Sequence, residues 1–337
     1  MKTLADRLLR LVLAVVFVLV AADALSAQAG RAGAFLRRGV GARAKAMGDA
    51  YTALATGIEA TFYNPAALPL LGHKELILSY RALSLDRQFS FVGFGMPIQP
   101  KVKGKTRKRT INGGFSLSWI RAAVNDIDAR DTDGQHLDNL SNSENAFIFS
   151  FALNPAPRVS VGLSVKVLLN RFPDVGLNGA TISATGVGFD LGVLLVPTEW
   201  LRVGLVVKDI NSQYRWNTQD LFGENGSEII NKFPRAFRAG VAVKPTQLRG
   251  LTVAVDFEQF YDSRLFQDSL DERFHLGVEG VVQKDLFVRG GLDDGSLTAG
   301  GGYRFSLLGK KSQLNYSFVS AGNRPEEEHV FTWIFEF

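Results

Sequence analysis

The residue types that most often carry catalysis are few and scattered in this chain of 337 residues. Four histidines occur, His73, His136, His275 and His329, no two of them close in sequence, and there is no cysteine. No Gly-x-Ser-x-Gly elbow and no His-Glu-x-x-His pair is found, so neither an activated serine nor a zinc-bound water has its usual frame. Gly309-Lys310-Lys311-Ser312 has the end of a phosphate loop, but the glycine that such a loop needs five positions earlier is Arg304. Gly300-Gly301-Gly302 lies between two strand patterns with no helix after it, which excludes a dinucleotide turn. Asp131-Thr132-Asp133-Gly134 matches the middle of a calcium loop. Ala129 and Leu140 then fall at its first and twelfth ligand positions, so two principal ligands are missing. The chain is read as not an enzyme, with no metal and no cofactor, and the acidic stretch Asn125–Glu144 as a solvated loop.

The chemistry that remains is charge pairing. Lys166, Asp190, Arg202, Lys208, Arg238, Asp256, Glu258, His275, Glu279, Arg289 and Arg304 fall on the polar face of otherwise apolar alternating segments. Both signs are present, and buried charges must pair. These residues are expected to meet one another and fill an interior. A lumen lined this way is less apolar than a conduit for hydrophobic solutes would need, which tilts the expectation toward a barrel that binds partners.

The segments that carry these residues alternate with period two from Leu76 onward. Val159, Val161, Leu163, Val165, Val167 and Leu169 are the clearest case, and Leu251, Val253, Val255 and Phe257 repeat it. Strands are predicted near 75–85, 88–97, 111–120, 145–153, 158–169, 181–196, 200–210, 235–244, 250–260, 272–282, 285–292, 297–307, 312–320 and 329–337. That is an even number, as a barrel with both termini on one side requires. The last strand carries Phe331, Trp333, Phe335 and Phe337 two apart, hence on one face. Such a stripe needs cover in water but none against lipid. A soluble sandwich or propeller would also alternate. It leaves that stripe unexplained, together with the many glycines on the polar face (Gly162, Gly188, Gly192, Gly204, Gly277), which suit a crowded, plugged lumen.

Connection lengths alternate short and long, as barrel turns and loops do. Short ones follow the fourth, sixth and tenth strands, and long ones (121–144, 170–180, 211–234, 261–271) follow the third, fifth, seventh and ninth. The first hairpin breaks the rule: Asp86-Arg87 is short where a loop is due, and 98–110 is long where a turn is due. Either that hairpin is unusual or its strands are misassigned.

Lys2, Arg7 and Arg10, then the apolar run Leu11–Val20 and small residues to Ala29, have the composition of a cleaved signal peptide over residues 1–27. The run is too short for a span of about 20 residues. The implied route is export through the periplasm to the outer membrane. The chain's formal net charge of +5 makes no case for nucleic acid. The run Lys101, Lys103, Lys105, Arg107, Lys108, Arg109 lacks interleaved aromatics and is read as a solvated turn, or at its sharpest a contact for lipid phosphate or an acidic periplasmic partner.

Residues 28–74 precede the barrel (75–337) and do not read as strand. Met47, Tyr51, Leu54 and Ile58 fall at helical spacing, and Asn64-Pro65 reads as a capped helix start. An amphipathic stretch there is expected to lie in the barrel mouth as a plug. Gly41-Ala42-Arg43, Met47-Gly48 and Asn64-Pro65-Ala66 within 34–68 resemble the N-terminal signature of the PorV/PorQ family, part of the wider FadL-like group of barrels. The resemblance implies a fourteen-stranded antiparallel transmembrane β-barrel with a short helical N-terminal plug. It also implies one of two roles. PorV-like proteins act in type IX secretion, binding the translocon, attachment proteins or cargo signal domains. FadL-like barrels take up hydrophobic compounds. The charged inner face favours the first. By resemblance to outer-membrane barrels generally, Phe331, Trp333, Phe335 and Phe337 are the signal read by the barrel assembly machinery. Outer-membrane lipid and lipopolysaccharide would surround the finished barrel.

Overall fold

The computed structural model describes residues 32–98, 112–173, 179–219, 223–261, 269–322 and 326–337. Residues 1–27, expected to be a signal peptide, and the basic run 101–109 lie outside these residues. Sixteen strands form: β1 Glu75–Ala82, β2 Arg87–Ile98, β3 Gly113–Arg130, β4 His136–Ala156, β5 Val159–Phe172, β6 Ile182–Thr198, β7 Leu201–Ile210, β8 Gln213–Asn217, β9 Glu228–Lys232, β10 Arg235–Val243, β11 Leu251–Tyr261, β12 Ser269–Gln283, β13 Leu286–Asp293, β14 Ser296–Leu307, β15 Lys310–Val319 and β16 Glu328–Glu336. All but β8 and β9 pair antiparallel around a closed ring. β1 pairs β16 over Glu75↔Glu336 to Ala82↔His329, and β5 pairs β6, so the ring has no free edge. The result is a fourteen-stranded antiparallel barrel.

The first hairpin is genuinely unusual rather than misassigned. β1 and β2 pair in unbroken register from Glu75↔Gly95 to Ala82↔Gln88, with a tight connection at 83–86. The Leu85 and Asp86 backbones take φ of 56° and 51°, the left-handed pair that a two-residue turn needs. The long 99–112 connection therefore leaves from the rim that holds the C-terminus, here called the terminal rim. Phe337 N donates to Lys74 O there.

Two long connections at the opposite rim are not loops. The acidic stretch, expected to be solvated coil, is an extension of β3 and β4, paired Ile127↔Leu140 to Arg130↔His136 beyond a bulge after Val124. Asp126, Asp128, Asp133 and Asp138 are exposed, Asp131 and Glu144 are half-buried with Glu144 accepting from the Tyr214 hydroxyl, and Asp128 pairs with Arg130 and His136 on the surface. The stretch 211–234 holds the hairpin β8–β9, which is tied to β6 through Ala184↔Trp216 and Thr185↔Arg215. Pairing with a neighbouring strand end satisfies backbone groups that a coil would leave to water.

Alternation sorts the barrel's two surfaces. Leu117, Phe149, Phe151, Leu163, Leu191, Val241 and Leu314 face outward and are exposed. Phe331, Trp333 and Phe337 share that outer face, with exposures of 54%, 36% and 55%, and Phe335 is half-buried beside Trp333. No helix among the described residues is long and apolar enough to cross a membrane, and the exposed exterior of the strands is rich in apolar side chains. An outward groove of about 640 Å³ runs along β1 and β14–β16, lined by Leu78, Tyr80, Tyr303, Leu314, Tyr316 and Trp333. Its apolar lining residues belong to the outer face, so it is a dent in the wall rather than part of the lumen.

Residues 34–70 fill the interior. The helical expectation survives only in pieces: a 3-10 turn at Ala34–Arg37, an α-helix at Ala42–Ala46, short turns at Gly57–Glu59 and Ala60–Tyr63, and a 3-10 helix at Pro65–Leu70. Gly48, Asp49 and Gly57 adopt φ of 61°, 62° and 64°, which breaks a continuous helix. Nor is the segment amphipathic in use. Met47, Tyr51, Leu54 and Ile58 are buried, and so are Lys45, Asp49 and Glu59 on its other sides. A chain wrapped by a barrel has no solvent face.

Candidate functional site

The plug meets the wall where wall residues are small. A Cβ on Gly162 would lie 2.4 Å from Ala66 N, one on Gly204 2.5 Å from Thr52 O, and one on Gly277 2.3 Å from Met47 O. In each case the obstacle is plug backbone, which cannot rotate away as a side chain can. These wall glycines are what allow the backbone to approach.

Each piece of the sequence motif has a contact. Gly41 takes φ 75°, and a Cβ there would strike the Glu59 carboxylate. Ala42 N donates to Thr332 Oγ1 at 2.8 Å. Arg43 grips the wall in bidentate fashion, Nε to Glu279 Oε2 at 2.9 Å and Nη2 to Oε1 at 2.8 Å. Its Nη1 donates within the plug to Thr56 and Tyr51. Met47 is fully buried, and Gly48 N donates to Thr298 Oγ1. Asn64 does three jobs: Oδ1 accepts from Ala66 N as a cap, and Nδ2 donates to Thr52 O and Val193 O. Pro65 holds the first helical position that follows.

Eight of the inner charges predicted from alternation take part in ion pairs, mostly within the wall, and four of them (Arg238, Asp256, His275 and Glu279) also bond to the plug. Glu279 accepts from Arg289 Nε at 2.6 Å as well as from Arg43. Lys166 Nζ bridges Asp190 and Asp209 at 2.6 and 2.5 Å. Arg238 lies 3.2 Å from Asp256 and 3.9 Å from Glu258, and its Nη2 donates to the plug carbonyl of Asp49. Asp256 Oδ2 in turn accepts from the backbone N–H groups of Tyr51 and Thr52. His275 Nδ1 is 3.0 Å from both Asp293 Oδ1 and Gly48 O, and its Nε2 is 3.5 Å from Glu258. The other three stand apart. Lys208 is buried with its ammonium 3.7 Å from the Phe62 ring centroid, a cation–π contact rather than an ion pair. Arg202 is half-buried with Nη1 unpaired, and no carboxylate among the described residues reaches it. Arg304 is exposed at the terminal rim and donates to Gln313.

Several residues of the network were not singled out in the sequence. Lys45 bridges Asp49 and Asp293 at 2.8 and 2.6 Å, and Arg38 and Arg81 share Glu328 at 2.8 and 2.9 Å. Lys45 and Asp49 stand four apart, a spacing that pairs on a helix and was open to inspection. Arg81 and Glu328 follow from alternation once β1 and β16 are known to be neighbours. Asp209 does not, because a register shift between β6 and β7 after Phe189 and its own φ of 59° turn it inward out of phase.

Glu59 sits in the plug with Oε2 accepting from Tyr51 and Oε1 unpaired. Burial pushes its carboxyl up from an ordinary 4.5 to about 7. A folded-state pKa raised above the unfolded value favours the protonated fold. This contribution is complete below about pH 4.5 and is lost as pH rises through about 7. The melting midpoint is therefore expected to fall between pH 5 and 8, and Glu59→Gln to flatten that slope. An unchanged slope in the variant would assign the pH dependence elsewhere.

At the opposite rim the plug's Phe35 and Leu36 join an aromatic floor. Tyr214 and Phe233 are buried with centroids 4.9 Å apart, and Trp216 packs against Tyr214 and Phe172.

No protein-family model matches this sequence, and no curated protein sequence matches it. Solved structures do. The Pseudomonas putida toluene transporter TodX aligns with TM-score 0.58 and 14% identity over 88% of this chain and 97% of its own. The CymD monoaromatic hydrocarbon channel gives 0.57 and 15% over 89% and 98%. A Pseudomonas aeruginosa FadL homologue gives 0.54 and 10% over 85% and 95%. The fold resembles that of FadL-type channels. At these identities the likeness is one of architecture, a closed fourteen-stranded barrel with short N-terminal helices. The PorV/PorQ placement rests on the 34–68 motif alone.

Proposed function

We propose that this chain is an outer-membrane barrel that admits small hydrophobic compounds, with residues 34–70 as the gate. The observation that carries this is where the inner charges go. The charged inner face argued for a partner-binding role in type IX secretion, since a hydrophobic solute would meet those charges in an open lumen. They do not line an open lumen. They hold the plug. The polarity of the wall therefore describes a latch and not a path, and the argument for secretion partners loses its physical basis. The resemblance in fold to the toluene transporter TodX and the monoaromatic hydrocarbon channel CymD supports the uptake reading, as does the aromatic floor at the opposite rim.

A conduit for hydrophobic solutes that stood open would show a continuous apolar tunnel past the plug. Instead Ala42, Ala44, Ala46, Met47, Tyr51 and Ile58 are fully buried at mid-plug. Passage on this reading requires the plug to shift. Proteoliposomes carrying the barrel should admit toluene faster than protein-free vesicles, and glucose no faster. Equal toluene entry with and without protein would sink the proposal.

The aromatic end of β16 is proposed as the assembly signal. Deleting Phe337 should lower the yield of folded, heat-modifiable barrel in the outer membrane several-fold while leaving the activity of each folded molecule unchanged. An unchanged yield would assign Phe337 to packing alone.

A further inference from the structure

The two rims differ in how they pair charge with exposed apolar residues. At the terminal rim, an exposed apolar residue stands beside an exposed cation at one tight connection after another. Leu248 adjoins Arg249 between β10 and β11, Val282 near the end of β12 is two residues from Lys284 in the turn to β13, and Leu308 in the turn after β14 is followed by Lys310 and Lys311 at the start of β15. Phe337 lies against Lys74 through its backbone hydrogen bond, so the seam of the barrel repeats the pairing. Leu308 is the most telling. It is 96% exposed and has φ 52°, a conformation that asparagine or glycine would adopt at less cost. A leucine kept fully exposed in a strained turn is explained if its surroundings are not water.

Arg249, Lys284, Lys310, Lys311 and Lys74 make no ion pair among the described residues. The acids of this rim are fewer: Glu199 and Asp285 stand at the turns, and Glu336 is engaged by His73 at 3.1 Å. The opposite rim is arranged otherwise. Its exposed turn leucine, Leu85, is followed by Asp86, and the β3–β4 extension is rich in exposed aspartate.

We infer that the terminal rim is a binding surface for anionic phospholipid headgroups, its apolar residues Leu248, Val282 and Leu308 entering the acyl boundary while Arg249, Lys284, Lys310 and Lys311 reach the phosphates. Long cationic side chains place an apolar stem along hydrocarbon and a charged head at the interface. A basic ring also gains from the negative potential of an anionic leaflet, within about a Debye length of 10 Å. Charge complementarity and continuity with the lipid-facing wall select lipid as the occupant, because an acidic protein partner would give the intervening apolar tips nothing to do. The inference needs only that the barrel spans a bilayer and is independent of what passes through it.

The test is lipid selection by the intact barrel. Purified protein is reconstituted in equimolar phosphatidylglycerol and phosphatidylcholine, re-extracted in mild detergent, and its retained lipid is measured by mass spectrometry. Wild type should retain about tenfold more phosphatidylglycerol, and Arg249→Gln/Lys284→Gln/Lys310→Gln/Lys311→Gln less than about twofold more. Arg215→Gln/Lys232→Gln, which removes exposed cations of the β8–β9 hairpin at the opposite rim, should behave as wild type. Heat-modifiability on gels confirms that each variant is folded. Equal retention of the two lipids by wild type would overturn the inference, as would undiminished selection by the quadruple variant. A barrel that selects lipid but passes no toluene would leave this inference standing while the transport proposal fails.

Discussion

Replacing Lys45 by methionine is expected to destabilise the plugged barrel by about 3–5 kcal/mol, because it strands buried carboxylates while keeping the side chain's length. Lys45 is wholly buried and lies 2.8 Å from Asp49 and 2.6 Å from Asp293. Without the ammonium, Asp49 retains the Tyr63 hydroxyl and Asp293 retains His275. Neither replacement supplies the lost charge to both carboxylates. Lys45→Met should lower the thermal midpoint and raise ion leak through reconstituted barrels, since the same pair ties plug to wall. The triple change Lys45→Met/Asp49→Asn/Asp293→Asn should recover much of the loss, because buried charges removed together leave little uncompensated. An unchanged midpoint for Lys45→Met alone would mean that this bridge does not hold the plug.

Gly162→Val should force the plug away from the wall. An added Cβ lands 2.4 Å from Ala66 N and from the Pro65 carbonyl carbon, within the Asn64-Pro65-Ala66 motif. Valine suits a strand better than glycine does, so the barrel wall itself should not suffer. The cost falls on the plug, about 1–3 kcal/mol for overpacking with backbone displacement. The matched control is Gly280→Val on β12, where a Cβ would meet nothing within 4 Å. Leak of small ions should rise in the first variant and not in the second. Equal behaviour of the two would remove the wall glycines from the account of plug seating.

These predictions use features that differed in how far the sequence disclosed them. The barrel was legible because alternation is a local signal, and β5 and β11 carry it almost without exception. The strand ends were less so. β3 and β4 run far past the apolar pattern, because Ile127↔Leu140 pairing depends on backbone partners and not on which face is apolar. The inner charges were legible as a set, since parity alone assigns Glu279 and Arg289 to one face. Their partners were not. Arg43 and Glu279 are 236 residues apart, and only the folded plug brings them together. For the same reason a charged inner face is no argument about cargo: parity says where a charge points and nothing of what meets it. The plug's helical spacing misled for a related reason. Apolar residues at intervals of three and four suit a helix lying on a surface, but a segment enclosed by a barrel is buried on every side, and Gly48 and Gly57 turn it back on itself.

The central claim is that hydrophobic solutes pass only when the plug moves, and a reversible lock tests it most directly. Thr61 in the plug and Ser150 on β4 are joined by a hydrogen bond between their side chains, and both are buried. The chain has no cysteine of its own, so Thr61→Cys/Ser150→Cys creates a single pair at a site where the two side chains already touch. Toluene entry into proteoliposomes should be blocked in the oxidised variant and restored on reduction. Equal entry in both redox states, with the disulfide confirmed by mass spectrometry, would contradict the claim that the plug is the gate.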